Sequence, residues 1–285
     1  MTMDGEIRCL SNVCTHRGML IVGGTCSKNA IQCPYHGRTF DLDGALRSMP
    51  EFDEVVDFPS ELDDLRNFPT LSWNGLIFTG VEPSNLKSCL DEMEKRVGWM
   101  PIETFEYDPT RNRSYEVKAN WALYVDNYLE GFHIPFVHND LNRALDYDNY
   151  QTELFEGGVL QIGIAREGES TFDIPENSPD FGLSVAAYYY WIFPGLMLNF
   201  YPWGLSVNLV VPLSVDQTRI IYHGFVWDKR MLGKGAGGDL DKVESEDQEI
   251  VEATQRGVSS QTYDRGRYSP TKEAGVHHFH QILTS

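Results

Sequence analysis

Cys14-Thr15-His16-Arg17-Gly18 and Cys33-Pro34-Tyr35-His36-Gly37-Arg38 form two Cys/His pairs, with sixteen residues between His16 and Cys33. Thiolates and imidazoles are both good ligands for soft or borderline metals, so each segment can offer two bonds from one loop. A finger-type zinc site draws its cysteines from one segment and its histidines from another. Here each loop supplies one of each, which suits a two-iron cluster with both thiolates on one iron and both imidazoles on the other. A zinc site, or cysteines that merely pack, are the alternatives. Gly18 and Gly37 follow the histidines, where a missing side chain lets the backbone approach and donate N–H bonds to cluster sulfurs.

Around these loops, residues 1–82 read as a small, all-β, loop-rich domain. Short runs such as Ala30-Ile31-Gln32 and Leu76-Ile77-Phe78-Thr79-Gly80 alternate with turn clusters, and the acidic segment 51–64 reads as a surface loop. Pro83-Ser84-Asn85 offers an N-cap for a helix over 86–97. The second region, 83–285, is expected to hold a strand at 113–117, a helix over about 121–133 and a long acidic helix over about 240–263 after the Gly-rich loop 233–238. Between the helices, residues 181–215 contain no charged side chain. Pro194, Pro202 and Pro212 interrupt that stretch, so it predicts successive strands of a buried antiparallel sheet and not a membrane span. The fold class expected is α+β in two domains.

The 285 residues carry 23 Lys+Arg against 42 Asp+Glu, a formal charge of −19. Such a polyanion is repelled by phosphate backbones and anionic membranes, which argues against nucleic-acid and membrane partners. With 41% hydrophobic residues the composition is globular. Five cysteines are too few for a disulfide scaffold of this size, and the first residues lack a signal-peptide pattern, so a reducing, cytoplasmic setting is expected. Cys9, Cys26 and Cys89 are assigned to packing.

A second constellation lies in Asn120-Trp121-Ala122-Leu123-Tyr124-Val125-Asp126-Asn127-Tyr128-Leu129-Glu130-Gly131-Phe132-His133-Ile134-Pro135-Phe136-Val137-His138. On a helix Glu130 and His133 share a face. His133 and His138 would diverge in a continuous helix, but Pro135 disfavours helical geometry at Ile134, and the bend lets both imidazoles converge. A carboxylate would complete the two-His-one-carboxylate triad of non-haem iron sites. At about 100° per residue, Val243, Ile250, Val251, Thr254 and Val258 form one apolar stripe on the late helix. Asp247 falls in its middle, Glu244 at its edge and Glu246 just outside. An unpaired carboxylate on a core face is costly, so Asp247 is the first candidate ligand and Glu246 the second, with a buried salt bridge as the other reading of Asp247.

The paired Cys/His loops resemble a Rieske [2Fe–2S] domain. Respiratory Rieske proteins add two loop cysteines that form a disulfide; the matching places here are Met19 and Tyr35, so the loops are similar to the oxygenase type. The segments 120–138, Phe193-Pro194-Gly195-Leu196-Met197-Leu198-Asn199, 246–257 and 275–280 resemble the catalytic domain of Rieske non-haem iron oxygenase α subunits. The resemblance implies a helix-grip, START-like second domain, a [2Fe–2S] cluster on Cys14, His16, Cys33 and His36, and Fe(II) on His133, His138 and Asp247. It implies a homotrimer in which electrons arrive from a neighbouring subunit's cluster, with Glu130 as the carboxylate bridging a cluster histidine and an iron-ligand histidine. Asp126, on the same segment, is grouped with the catalytic residues. Electrons would come from NAD(P)H through a flavin- or ferredoxin-type reductase, and O₂ would be the co-substrate.

Many ring-hydroxylating members have Asp where Glu130 stands; glutamate is similar to members acting on quaternary amines such as carnitine or glycine betaine. Relatives commonly have Asn where Gly195 stands. The tail histidines His277, His278 and His280 receive no metal role. Two substrate classes follow, a methylated amine or an aromatic ring, with the substrate expected against Tyr188, Tyr190, Trp191, Tyr201 and Trp203. A protein that only transfers electrons, or an inactive paralogue, is the alternative of a different class. Only thirteen residues precede Cys14, so the first domain is expected to be partial at its N-terminus relative to the family.

Overall fold

The computed structural model describes residues 5–80 and 86–284; the N-cap expected at Pro83-Ser84-Asn85 lies outside them. The chain divides into two compact units, Met1–Lys87 and Ser88–Ser285, where the sequence suggested a boundary at 82/83.

The first unit is built from short antiparallel pairings. Strand β1 (Cys9–Leu10) pairs with β5 (Asn67–Phe68), β2 (Ile31–Gln32), β3 (Thr39–Phe40) and β4 (Leu46–Ser48) form a three-stranded sheet, and β6 (Thr70–Trp73) pairs with β7 (Leu76–Thr79). Its core consists of Cys14, Ile21, Cys33, Phe40 and Leu65. The acidic segment has few free carboxylates at its end. Asp63 meets Arg38 at 2.5 Å, and Asp64 Oδ1 accepts from Leu46 N at 2.6 Å.

The second unit is a seven-stranded antiparallel sheet in the order β8-β14-β13-β12-β11-β10-β9. Its strands are β8 (Glu106–Val117), β9 (Gln151–Phe155), β10 (Gly158–Ile164), β11 (Val185–Ile192), β12 (Leu196–Tyr201), β13 (Gly204–Ser214) and β14 (Gln217–Val226). From β9 to β14 the chain meanders, and β8 closes the far edge on β14. The uncharged stretch supplies three central strands. They are buried on both faces, which is why they lack the polar alternation of a half-exposed antiparallel sheet. Strand β8 begins seven residues before the expected 113–117 run and tolerates Pro109 because it is an edge strand.

Among the described residues six α-helices accompany the sheet: α1 (Leu86–Val97), α2 (Trp121–Tyr128), α3 (Ile134–Val137), α4 (Asn139–Ala144), α5 (Leu240–Val258) and α6 (Ala274–Thr284). Residues of α2, α5 and α6 pack on one sheet face through Val125, Leu129, Val251, Val276 and Phe279 against Val159, Trp191, Met197, Val210 and Ile220. Asn120 caps α2 by accepting from Ala122 N at 2.9 Å, and Asp239 caps α5 by accepting from Lys242 N at 3.1 Å. Helix α5 ends at Val258, earlier than expected, just after Gly257.

Two expectations about helix geometry need correction. Helix α2 stops at Tyr128, so Glu130 and His133 are not helical neighbours. The helix is capped at Leu129; at Gly131, just beyond, a Cβ would lie 2.9 Å from the Tyr150 ring, and Glu130 Oε2 accepts from His133 N at 3.0 Å to start a new turn. Pro135 does not break a helix but sits in the first turn of α3, a position that needs no N–H. On α5 the buried face is Val243, Glu244, Asp247, Gln248 and Val251, whereas Ile250 is 41% exposed. The apolar residues alone therefore misplaced the centre of that face by a fraction of a turn.

Candidate iron centres and substrate cavity

The two cluster loops are built alike. Cys14 N donates to Met19 O (2.9 Å) and Cys33 N to Arg38 O (2.8 Å), five residues on in each case. Gly18 N returns to Cys14 O (2.9 Å) and Gly37 N to Cys33 O (3.1 Å). Gly18 and Gly37 have φ of +73° and +76°, the left-handed region that favours glycine. Their own amides are thus bonded within the loops, where the glycines serve the turn. Both cysteines are buried, at 3% and 2% exposure, while His16 is half-buried and His36 exposed, with ring centroids 4.8 Å apart. Burial raises the Cys14 thiol, and the neighbouring Cys33 adds to the rise. Two thiols inside and two imidazoles outside, all unpaired by disulfides, is a donor set that fits a mixed Cys₂His₂ two-iron cluster.

Met19 and Tyr35 are exposed. Of the remaining cysteines, Cys89 is buried, donates toward Glu156 O at 3.3 Å, and is pushed up to about 11 by burial. Cys26 is exposed, so a packing role does not hold for it.

The second constellation closes on one point. His133 Nε2, His138 Nε2 and a carboxylate oxygen of Asp247 all lie within 4.8 Å of one another. Asp247 Oδ1 is 3.0 Å from His138 Nε2 and 3.6 Å from His133 Nε2, and it accepts from Asn127 Nδ2 at 2.6 Å. The other nitrogen of each ring is held from behind. Glu130 Oε1 is 2.7 Å from His133 Nδ1, and Glu246 Oε2 is 2.8 Å from His138 Nδ1. An ionised carboxylate can only accept, so each Nδ1 donates and each Nε2 faces inward. Burial alone would lower the His138 imidazole, but the hydrogen bonds and charges of Asp247 and Glu246 outweigh it and raise it. Three carboxylates around two imidazoles favour a cation at this point, and the donor set is that of a non-haem iron triad.

The triad forms part of the wall of a cavity of about 100 Å³. Gln161, Tyr189, Asn199, Tyr201, Asn208 and Tyr222 reach it from five successive strands of one sheet face, and Tyr124, Tyr128 and Tyr150 close it from the helical side. Of the five aromatic residues expected near the substrate, Tyr201 lines this cavity. Tyr188 and Tyr190 do not, because side chains alternate along β11 and Tyr189 projects into it, while Trp191, on the same face as Tyr189, packs instead against Phe279 of α6. Trp203 stacks on Tyr201 from behind.

Other predicted residues fall as follows. Asp126 is not brought to the triad: its carboxylate turns to His280 Nε2 at 2.9 Å, and burial raises it to about 6, against the lowering effect of His280. Glu246 bonds the Nδ1 of His138 from outside, whereas Asp247 is the carboxylate that faces the Nε2 atoms of both histidines. Gly195 is a close-approach site: a Cβ there would lie 2.8 Å from Val210 O, so a side chain has no room without a shift of the backbone. Sequence reasoning assigned no role to Asn127 or Tyr222 and left Glu244 at the stripe's edge. Asn127 lay within the quoted segment, but nothing in its spacing pointed at Asp247.

The Rieske [2Fe-2S] domain family matches residues 1–67, and the Ring hydroxylating alpha subunit (catalytic domain) family matches residues 104–285. The chain is 29% identical to the chloroplastic choline monooxygenase of Arabidopsis thaliana, over 98% of this chain and 68% of that protein. It is 28% identical to the carnitine monooxygenase oxygenase subunit of Escherichia coli (strain K12), over 98% of this chain and 78% of that one. The chain spans about two thirds of the length of the choline monooxygenases it matches. In fold it is similar to a crystal structure of the quaternary ammonium Rieske monooxygenase CntA, with a TM-score of 0.71 and 24% identity over 99% of this chain and 78% of that one. With a Rieske domain ahead of a catalytic domain that fills most of its length, the chain belongs to the ring-hydroxylating α-subunit family of Rieske non-haem iron oxygenases.

Proposed function

We propose that the chain is the oxygenase subunit of a Rieske-type monooxygenase that oxidises a small methylated amine. The observation that carries this reading is the convergence of His133 Nε2, His138 Nε2 and Asp247 Oδ1 on a cavity walled by tyrosines. In this reading Cys14, His16, Cys33 and His36 hold a [2Fe–2S] cluster, and His133, His138 and Asp247 hold Fe(II). Bound there, the cluster would supply electrons one at a time and the mononuclear iron the reductive activation of O₂.

The protein's own part is positioning. Glu130 and Glu246 fix the tautomer and orientation of the two imidazoles, and Asn127 steers the ligating oxygen of Asp247. Burial pushes the phenols of Tyr124 and Tyr222 far up, so they remain neutral donors in the cavity. Phenol faces attract a trimethylammonium group by cation–π interaction. The choline and carnitine monooxygenases named above support the substrate class. Reduction by NAD(P)H through a flavin- or ferredoxin-type reductase, a homotrimer with Glu130 bridging to a neighbour's cluster, and a cytoplasmic setting complete the proposal. The five unpaired cysteines support a reducing compartment, and among the described residues no helix is long and apolar enough to cross a membrane.

Hydroxylation of an aromatic ring is the second reading, since tyrosine walls also suit a neutral arene. Oxygen and NADH consumption with choline, carnitine and betaine, set against simple benzoates, separates the two. Turnover of a benzoate with none of the amines would overturn the first.

A further inference from the structure

Glu244 stands one turn before Asp247 on α5 and faces the same cavity, at 2% exposure. One carboxylate oxygen accepts from the Tyr124 hydroxyl at 2.6 Å and from the Tyr222 hydroxyl; the other accepts from Gln248 Nε2 at 3.0 Å. These donors are neutral, and among the described residues no Lys, Arg or His pairs with it. A carboxylate taken out of water is normally matched by a cation, and three neutral hydrogen bonds compensate only part of its lost hydration. The triad does not need this group. His133 and His138 already have Glu130 and Glu246 behind them, and Asp247 has Asn127.

We propose that Glu244, clasped by Tyr124 and Tyr222, is the counter-charge of the substrate cavity and receives a cationic ammonium group between the tyrosine rings. The inference rests on the methylated-amine reading and adds the residue that senses the substrate's charge. A neutral molecule of the same shape would fill the cavity and leave the carboxylate unmatched, so discrimination arises from charge and not from volume. Tyr124 and Tyr222 act as positioning residues, since their hydroxyls aim the carboxylate and leave their ring faces to the ligand.

The test uses the holoenzyme and two probes of equal shape, choline and 3,3-dimethylbutan-1-ol, in which carbon replaces the nitrogen. Calorimetric titration of the wild type is expected to show choline binding at least about tenfold tighter than the alcohol. Glu244→Gln keeps an acceptor for both tyrosines and removes the charge. It is expected to lose about tenfold or more in choline affinity while the alcohol's affinity stays within about twofold. Equal losses for both probes would show a role in shape alone and overturn the proposal. If the variant does not fold, the wild-type comparison still decides, because equal affinity for the two probes also overturns it. Choline oxidised by the wild type and bound equally well by Glu244→Gln overturns this inference alone. A wild type that binds neither probe and oxidises an arene overturns it together with the functional reading.

Discussion

Glu246 Oε2 lies 2.8 Å from Nδ1 of His138, while the next residue, Asp247, places Oδ1 3.0 Å from Nε2 of the same ring. Two adjacent carboxylates on one helix thus clasp both nitrogens of one imidazole, and His138 itself is 1% exposed. The outer carboxylate orients the ring and raises its basicity, and the inner one shares its ligating face.

Removing the outer clasp should therefore weaken the metal without abolishing the site. Glu246→Ala is expected to lower iron affinity by roughly 10- to 100-fold, as for other carboxylates behind a ligating histidine. Iron retention during dialysis against a graded chelator measures this, with the [2Fe–2S] absorbance as an internal reference. Iron retention equal to the wild type would contradict the orienting role.

Removal of a ligand is a different event. Asp247→Ala and His133→Ala should each retain the two cluster irons and lose the mononuclear one, so that metal analysis falls from about three irons per chain to about two. Oxygen consumption coupled to substrate should disappear in both. Full oxygenase activity in either variant would contradict the triad.

Glu244 makes a prediction for stability that is independent of binding. Burial raises its carboxyl from the ordinary value to about 7, against the lowering effect of the Tyr124, Tyr222 and Gln248 hydrogen bonds. The folded state then holds a proton that the unfolded state releases at lower pH, so stability is full below the unfolded value and is lost as pH rises through about 7. Glu244→Gln should be stabilising above that pH, by up to about 3 kcal/mol, and close to neutral at pH 4. Thermal melts at both pH values check this. A variant that melts lower than the wild type at high pH would contradict it.

In the first unit, Arg38 is 2% exposed and donates to Asp63 Oδ1 at 2.5 Å, while the Thr15 hydroxyl donates to Asp63 O at 2.7 Å. One residue thereby ties together the two cluster loops. Asp63→Ala leaves the buried guanidinium unmatched and should destabilise this unit by about 3 kcal/mol. The expected signs are a lower melting transition and faster bleaching of the cluster absorbance. Arg38→Leu leaves only the partly exposed Asp63 behind and should cost less. Equal effects of the two substitutions would contradict this account.

Much of the chemistry was readable along the chain because its groups are close in sequence. The Cys/His pairs each lie within one turn, and Glu130, His133 and His138 lie within nine residues, so local geometry limits where they can point. Even there the mechanism differed. Between α2 and α3 the chain passes close to the Tyr150 ring at Gly131, and that ring comes from a segment nineteen residues on. Asp247 could be singled out by helical period, which is set by the backbone alone.

The candidate donor residues, the two-unit order and the antiparallel character of the uncharged stretch were thus present in residue type and spacing. The cavity was not. Periodicity tells which face of a strand is buried only when the other face is wet, and β11, β12 and β13 are buried on both. Whether Tyr188 or Tyr189 meets the substrate then depends on register against neighbouring strands and on which helices cover each face. The same holds for Glu244, Glu246 and Asn127. Their partners lie on other elements, and a carboxylate's role depends on which donors folding brings within hydrogen-bond reach.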